Sequence, residues 1–212
     1  MPRPPQGLHG LPGVRVTRAM ARLVQRFAQK ALLYGGSMLK DRSADNDSGK
    51  RYEIFCDALV DMVRRRQPSD FVRANLQVCE AMRALIMRVI PAVRRAALAQ
   101  GVRLEGMQAY ASVALIRPGA RAQVVHYDHY YAPAYWTAFL KCSHGLRQGD
   151  TQFVAGGDGG PFYELPGHKI WSGRVAHRGG ANAGGSTRYV LALAFARGED
   201  PNRPFGGVPF RV

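Results

Sequence analysis

The residues best suited to chemistry are an imidazole and a carboxylate two positions apart, His126 and Asp128. They close the segment Arg117-Pro-Gly-Ala-Arg-Ala-Gln-Val-Val-His126-Tyr-Asp128. Pro118-Gly119 marks a turn, and the stretch after it, Ala122–His126, reads as a strand. In extended backbone, residues i and i+2 project to one face, so a ring nitrogen and a carboxylate oxygen address a single point. Such a pair is two of the three ligands of a 2-His-1-carboxylate metal site, which leaves coordination positions open for small molecules. The pattern is short, and a hydrogen-bonded pair at a strand end explains it as well.

A second segment supplies the missing imidazole. In His177-Arg-Gly-Gly-Ala-Asn-Ala-Gly-Gly-Ser-Thr-Arg188-Tyr-Val-Leu-Ala-Leu-Ala-Phe195, a histidine ends one strand, a glycine-rich turn reverses the chain, and an arginine opens an apolar strand. Antiparallel pairing across that turn sets Arg188 deeper than His177. A buried guanidinium needs an anionic partner, and its planar fork suits a carboxylate. An internal ion pair is the plain alternative, with few candidates: after Glu105 the only acids are Asp128, Asp150, Asp158, Glu164, Glu199 and Asp200. The distal carboxylate of a bound dicarboxylate such as 2-oxoglutarate is the other.

Taken together, His126-x-Asp128, then His177, then Arg188 resembles the pattern of the Fe(II)/2-oxoglutarate-dependent dioxygenase superfamily. Three intervening pieces are similar to its prolyl 4-hydroxylase-like branch: Arg117-Pro118-Gly119, Gly149-Asp150-Thr151-Gln152-Phe153 and Leu165-Pro166-Gly167-His168. Arg188 stands where that branch usually has Lys, which is closer to the phytanoyl-CoA hydroxylase-like pattern. The likeness covers about residues 108–197. It implies Fe(II) held by His126, Asp128 and His177, 2-oxoglutarate anchored by Arg188, and O₂ as oxidant. It also implies succinate and CO₂ as co-products, with hydroxylation of a protein side chain or small metabolite, or demethylation where the hydroxylated carbon bears nitrogen. Two alternatives stand beside it: a non-catalytic jelly-roll or cupin-like metal- or ligand-binding protein, and a nucleic-acid-directed demethylase.

Other polar residues are weighed against these. Thr137, on a predicted strand, offers a hydroxyl inside the barrel and is read as a further co-substrate contact. His129 follows Asp128 and points to the opposite face of a strand, which keeps it out of the ligand set. His144 and His168 sit among turn residues and read as solvated. Tyr127, Tyr130, Tyr131, Tyr135 and Trp136 crowd the metal-binding stretch, as rim packing or as a substrate wall. Residues 155–161 (AGGDGGP) read as a lid or a plain hairpin loop.

These groups need a scaffold. From Gln108 onward, short β-branched and aromatic stretches are punctuated by Gly and Pro. They predict strands over Ala109–Ile116, Ala122–His126, Tyr135–Lys141, Thr151–Val154, Phe162–Leu165, Lys169–Trp171, Arg174–His177 and Arg188–Ala196. That density suggests a two-sheet jelly roll, the double-stranded β-helix, and so an α+β protein with N-terminal helices packed on a β core. The first helix spans Val16–Tyr34, with Met20, Leu23, Val24, Phe27 and Ala31 opposite Arg18, Arg22 and Arg26. A second covers Tyr52–Arg65 and stops before Pro68. A third is capped by Ser69 or Asp70 and runs to about Gln100, with Val72, Leu76, Cys79, Met82, Leu85, Ile86 and Val89 as its buried stripe. Pro91 is expected to kink or divide it. The chain thus divides into residues 1–40, a basic amphipathic leader or surface helix; 41–107, a helical support; and 108–212, the catalytic core.

Composition bounds the rest. The chain of 212 residues has 46% hydrophobic content and a net charge of +15, which excludes wholesale disorder. The charge keeps nucleic acid as an alternative partner, although 25 of the 30 basic residues are Arg and only Arg64–Arg66 forms a run of three. Three cysteines without short spacing fit neither a disulfide framework nor a metal clip, so an intracellular, reducing compartment is expected. An acid-free, Arg-rich first forty residues also resemble an organellar import signal. No apolar run is long enough to span a bilayer.

Overall fold

In the computed structural model, residues 3–35, 38–42, 49–64, 69–129, 134–143, 150–156, 159–197 and 209–210 are described. In chain order the elements are β1 (Leu8–Gly10), α1 (Arg18–Tyr34), β2 (Leu39–Asp41), β3 (Arg51–Phe55), α2 (Asp57–Arg64), α3 (Asp70–Ala74), α4 (Leu76–Leu98) and β4 (Gln108–Ile116). There follow β5 (Tyr135–Lys141), β6 (Thr151–Val154), β7 (Phe162–Glu164), β8 (Lys169–Ser172), β9 (His177–Gly179) and β10 (Arg188–Ala196). They form a seven-stranded sheet, ordered β1-β8-β5-β10-β4-β3-β2, and a three-stranded sheet, ordered β7-β6-β9. The named strand pairs are antiparallel.

The larger sheet has the helical core on one face and a cavity on the other, and successive residues alternate between them. Along β10, Tyr189, Leu191, Leu193 and Phe195 join the helical core, while Arg188, Val190, Ala192 and Ala194 line a cavity. β4 repeats this, with Ala109, Ala111, Val113 and Leu115 toward the helices and Ser112, Ala114 and Ile116 toward the cavity. On the cavity face Ser112, Ala114, Ala192 and Ala194 are small, which leaves that side open. The two sheets meet through Trp171 of β8 and Phe153 of β6, whose ring centroids lie 5.3 Å apart, with Leu8 and Val175 in the same cluster.

α1 belongs to this core. Thr17 caps it by accepting from the Met20 amide at 3.2 Å, and Val24, Phe27, Ala28 and Ala31 are buried against α4 and the sheet. Phe27 meets Phe71 edge-on at 5.8 Å between centroids.

The structure corrects several expected elements. No helix begins at Tyr52: Arg51–Phe55 is β3, which covers the edge of β4 by pairing Arg51 with Ile116 and Phe55 with Ser112, and helix starts only at Asp57. Pro91 lies inside a continuous α4. The break comes at Asn75, whose backbone leaves the helical region (φ −132°, ψ 30°) while its side chain donates to Phe71 O at 3.0 Å. The stripe is rephased there, and Leu76 is left 48% exposed. Residues 122–126 form no regular strand; only an isolated bridge joins His126 to His177. Nor do β9 and β10 pair across the glycine-rich turn, because each lies in a different sheet. The short strands β1, β2 and β3 carry no periodicity long enough to announce them. Cys56, Cys79 and Cys142 are buried thiols outside any disulfide, and no described helix is long and apolar enough to cross a membrane.

Candidate metal centre

His126 and His177 face each other as a bridged pair: each amide donates to the other's carbonyl, at 2.8 and 2.9 Å. That contact brings two imidazoles 51 positions apart in sequence to 4.6 Å between centroids. Each ring is oriented by its own backbone. Nδ1 of His126 donates to Val124 O and Nδ1 of His177 to Val175 O, both at 2.9 Å. A carbonyl only accepts, so Nδ1 carries a proton and Nε2 is the atom that could hold a metal in both rings.

Asp128 completes the group. Its Oδ2 accepts from the Thr137 hydroxyl at 2.5 Å and from Trp171 Nε1 at 3.0 Å, which leaves Oδ1 facing His177 Nε2 at 3.4 Å. Ligand atoms of His126, Asp128 and His177 all lie within 4.8 Å of one another. The three residues expected to hold a metal therefore converge, and their donor set fits a 2-His-1-carboxylate cation site.

The charges agree with this arrangement. Burial alone would raise Asp128, but His177 by charge and hydrogen bond, and Thr137 by its hydroxyl, pull it down to about 2. Burial works against protonation of His177, yet the charge and hydrogen bond of Asp128 outweigh it and raise its pKa. His126 moves the other way, lowered by burial and by the neighbouring His177. A cation held between these groups would take the place of the proton that Asp128 favours on His177.

Beneath the three ligands lies a cavity of about 290 Å³, lined by all of them together with Thr137 and Arg188. Arg188 is 7% exposed and its Nη2 donates to Gly180 O at 3.0 Å. Burial lowers its pKa, against the pull of the Asp150 and Glu164 charges. Asp150 also lines the cavity and forms an ion pair at 2.8 Å with Lys169, itself 1% exposed.

Other expected residues fall elsewhere. Thr137 is in the cavity, but its hydroxyl proton is given to Asp128, so it steadies that carboxylate. His129 stacks on Tyr135 at 5.7 Å, outside the ligand group. His168 is not simply solvated: its Nδ1 accepts from the Lys141 amide at 3.1 Å. Tyr127 and Tyr135 line the cavity, whereas Trp136 packs against the helical core. Tyr130, Tyr131 and His144 lie outside the described residues.

Two contributors carry no motif. Trp171 serves the site only because β8 pairs with β5 and sets it opposite Thr137. Asn182, 1% exposed, pins the turn before Arg188 by donating to Ile116 O and Ser186 O, both at 3.0 Å. Gly119, at φ +75°, is also tied to this turn, since its amide donates to Asn182 O.

No protein-family model and no curated protein matches the chain. Solved structures do. The non-heme α-ketoglutarate-dependent carbocyclase SnoK from nogalamycin biosynthesis aligns with TM-score 0.65 at 13% identity, over 98% of this chain and 90% of its own. The epimerase SnoN of the same biosynthesis, also non-heme and α-ketoglutarate-dependent, gives 0.64 at 16%, over 97% and 86%. A prolyl 4-hydroxylase from Pseudomonas putida gives 0.53 at 15%, over 90% and 92%. At such identities the likeness is one of fold.

Proposed function

We propose that this chain, which has the fold of the non-heme α-ketoglutarate-dependent enzymes, is an Fe(II)- and 2-oxoglutarate-dependent oxygenase hydroxylating a protein side chain or small metabolite. One observation carries the reading. Two imidazole nitrogens and one carboxylate oxygen, each turned inward by a hydrogen bond on its far side, meet over a cavity that also contains a buried arginine. The strand order β8-β5-β10-β4 against β7-β6-β9, with His126 bridged to β9, supports a double-stranded β-helix as the core.

Each residue then has a task. Nε2 of His126, Nε2 of His177 and Oδ1 of Asp128 hold the metal. Thr137 and Trp171 keep Oδ2 of Asp128 from turning toward it. Arg188 receives the distal carboxylate of 2-oxoglutarate, and its burial strengthens that pairing by excluding water. When bound, Fe(II) with 2-oxoglutarate and O₂ supplies decarboxylation to succinate and CO₂, and oxidation of a substrate C–H bond. The cavity walls include Phe55, Tyr127 and Phe139, and Val124 and Val125 are exposed just before His126. Both features favour an apolar portion of the substrate at the metal. Hydroxylation as the outcome is supported by the Pro-Gly and Gly-Asp-Thr-Gln-Phe segments shared with the prolyl hydroxylase-like pattern.

The test is succinate formation from 2-oxoglutarate with Fe(II), O₂ and a panel of candidate substrates. Asp128→Ala is expected to abolish it. Unchanged turnover in that variant would reject the ligand assignment.

A further inference from the structure

We propose that Arg51 is a second determinant of co-substrate choice, forming with Arg188 a two-guanidinium site for the distal carboxylate of a 2-oxo dicarboxylate. The inference rests on the co-substrate reading above and adds a residue from outside the segments that resemble the oxygenase pattern.

The register sets the two arginines in one row. Ile116 pairs with Arg51 on one side and with Arg188 on the other, so both side chains leave the sheet on its cavity face, and both line the cavity. Each is 7% exposed. Their Nη2 atoms donate to the same oxygen, Gly180 O, each at 3.0 Å, and Arg51 Nη2 also donates to Arg121 O at 3.0 Å. These carbonyl contacts fix the plane of both guanidinium groups and bring like charges together in a buried place. A peptide oxygen carries only a partial charge, whereas a carboxylate offers two oxygens and a full charge to a pair of planar forks.

Room has been left for Arg51. A Cβ at Gly179 would lie 2.5 Å from Arg51 Nη1 and 2.5 Å from Gln123 Oε1, so any larger residue there would push the guanidinium away. Gln123 Oε1 in turn accepts from the Gly179 amide at 3.1 Å. The third buried cation nearby, Lys169, is held by Asp150 at 2.8 Å, and Arg188 also feels the Asp150 and Glu164 charges. A purely structural Arg51, clamping β3 to the turn, predicts that its loss leaves the preference between ligands unchanged, and that difference can be measured.

The experiment is calorimetric titration of the Mn(II)-loaded protein, without turnover, using two ligands. 2-Oxoglutarate and 2-oxopentanoate share the chelating keto-acid end, and the second has a methyl group in place of the distal carboxylate. Wild type is expected to prefer 2-oxoglutarate. Arg51→Gln should weaken 2-oxoglutarate binding by about 10- to 100-fold, the worth of a charge-assisted hydrogen bond, while leaving 2-oxopentanoate binding and Mn(II) affinity unchanged. Arg51→Lys, which keeps the charge without the fork, should fall between, and it decides the matter should the Gln variant not fold. Equal loss for both ligands, or none for either, would overturn the role of Arg51 while Arg188→Gln still abolishes the preference. A wild type without preference would overturn the co-substrate reading and this inference with it.

Discussion

At Asp128 the two carboxylate oxygens have separate duties: Oδ2 accepts from Thr137 and Trp171, and Oδ1 faces the imidazoles. Fixing one oxygen leaves a single, pre-oriented ligand atom. Thr137→Val and Trp171→Phe each remove one fixing bond at nearly constant shape. Each is expected to weaken Mn(II) binding by about 10- to 100-fold, as partners of metal ligands generally do, measured by competition with a chelator. Unchanged affinity in both would mean the carboxylate needs no support. His126, Asp128, His177 and Arg188, which gather at one cavity, were legible in the sequence from residue type, spacing and the family resemblance together. Trp171 and Arg51 were not. Their roles come from which strand lies opposite them, and a tryptophan or arginine in a strand is ordinary by itself.

Among the elements, those whose periodicity is long or bounded by turn residues were readable: α1, β4, β5, β6 and β10 lie within two residues of expectation. β3 was not, because Tyr-Glu-Ile-Phe alternates as well as it spirals, and the exposed edge of β4 decided in favour of a strand. The segment 120–129 has strand-forming residues but meets Asn182, Gly179, His177 and Gly173 at separate points, so it delivers His126 and Asp128 without a regular ladder. Between β7 and β8, His168 Nδ1 accepts from the Lys141 amide, a bond that protonation destroys. Burial, with the charges of Lys169 and Lys141, holds its pKa below the usual 6.5. Between those two values the unfolded chain binds more protons than the folded one, so stability is lost as pH falls below about 6.5. Comparing denaturant unfolding at pH 5.5 and 7.5, His168→Asn, with an uncharged acceptor, should lose less on acidification than wild type, by about 0.5–1.5 kcal/mol for one hydrogen bond. Identical losses would show that His168 does not contribute.

Across the whole molecule, the larger sheet separates two interiors: helices close one face, and the cavity with His126, Asp128, His177 and the arginines lies on the other. The N-terminal elements are structural partners of the site, since Leu8 of β1 packs with Trp171, the donor to Asp128. The basic charge of +15 gave no such information, because net charge speaks to association and not to fold. The proposed function joins the two ends of the cavity by requiring two ligands at once: a cation at His126, Asp128 and His177, and a dicarboxylate reaching Arg188. An anaerobic titration followed by visible absorption tests that directly. Fe(II) and 2-oxoglutarate together should produce a charge-transfer band that neither gives alone, and His177→Ala should abolish it. A protein that binds Fe(II) and 2-oxoglutarate separately without that band, or keeps the band in His177→Ala, would contradict the account.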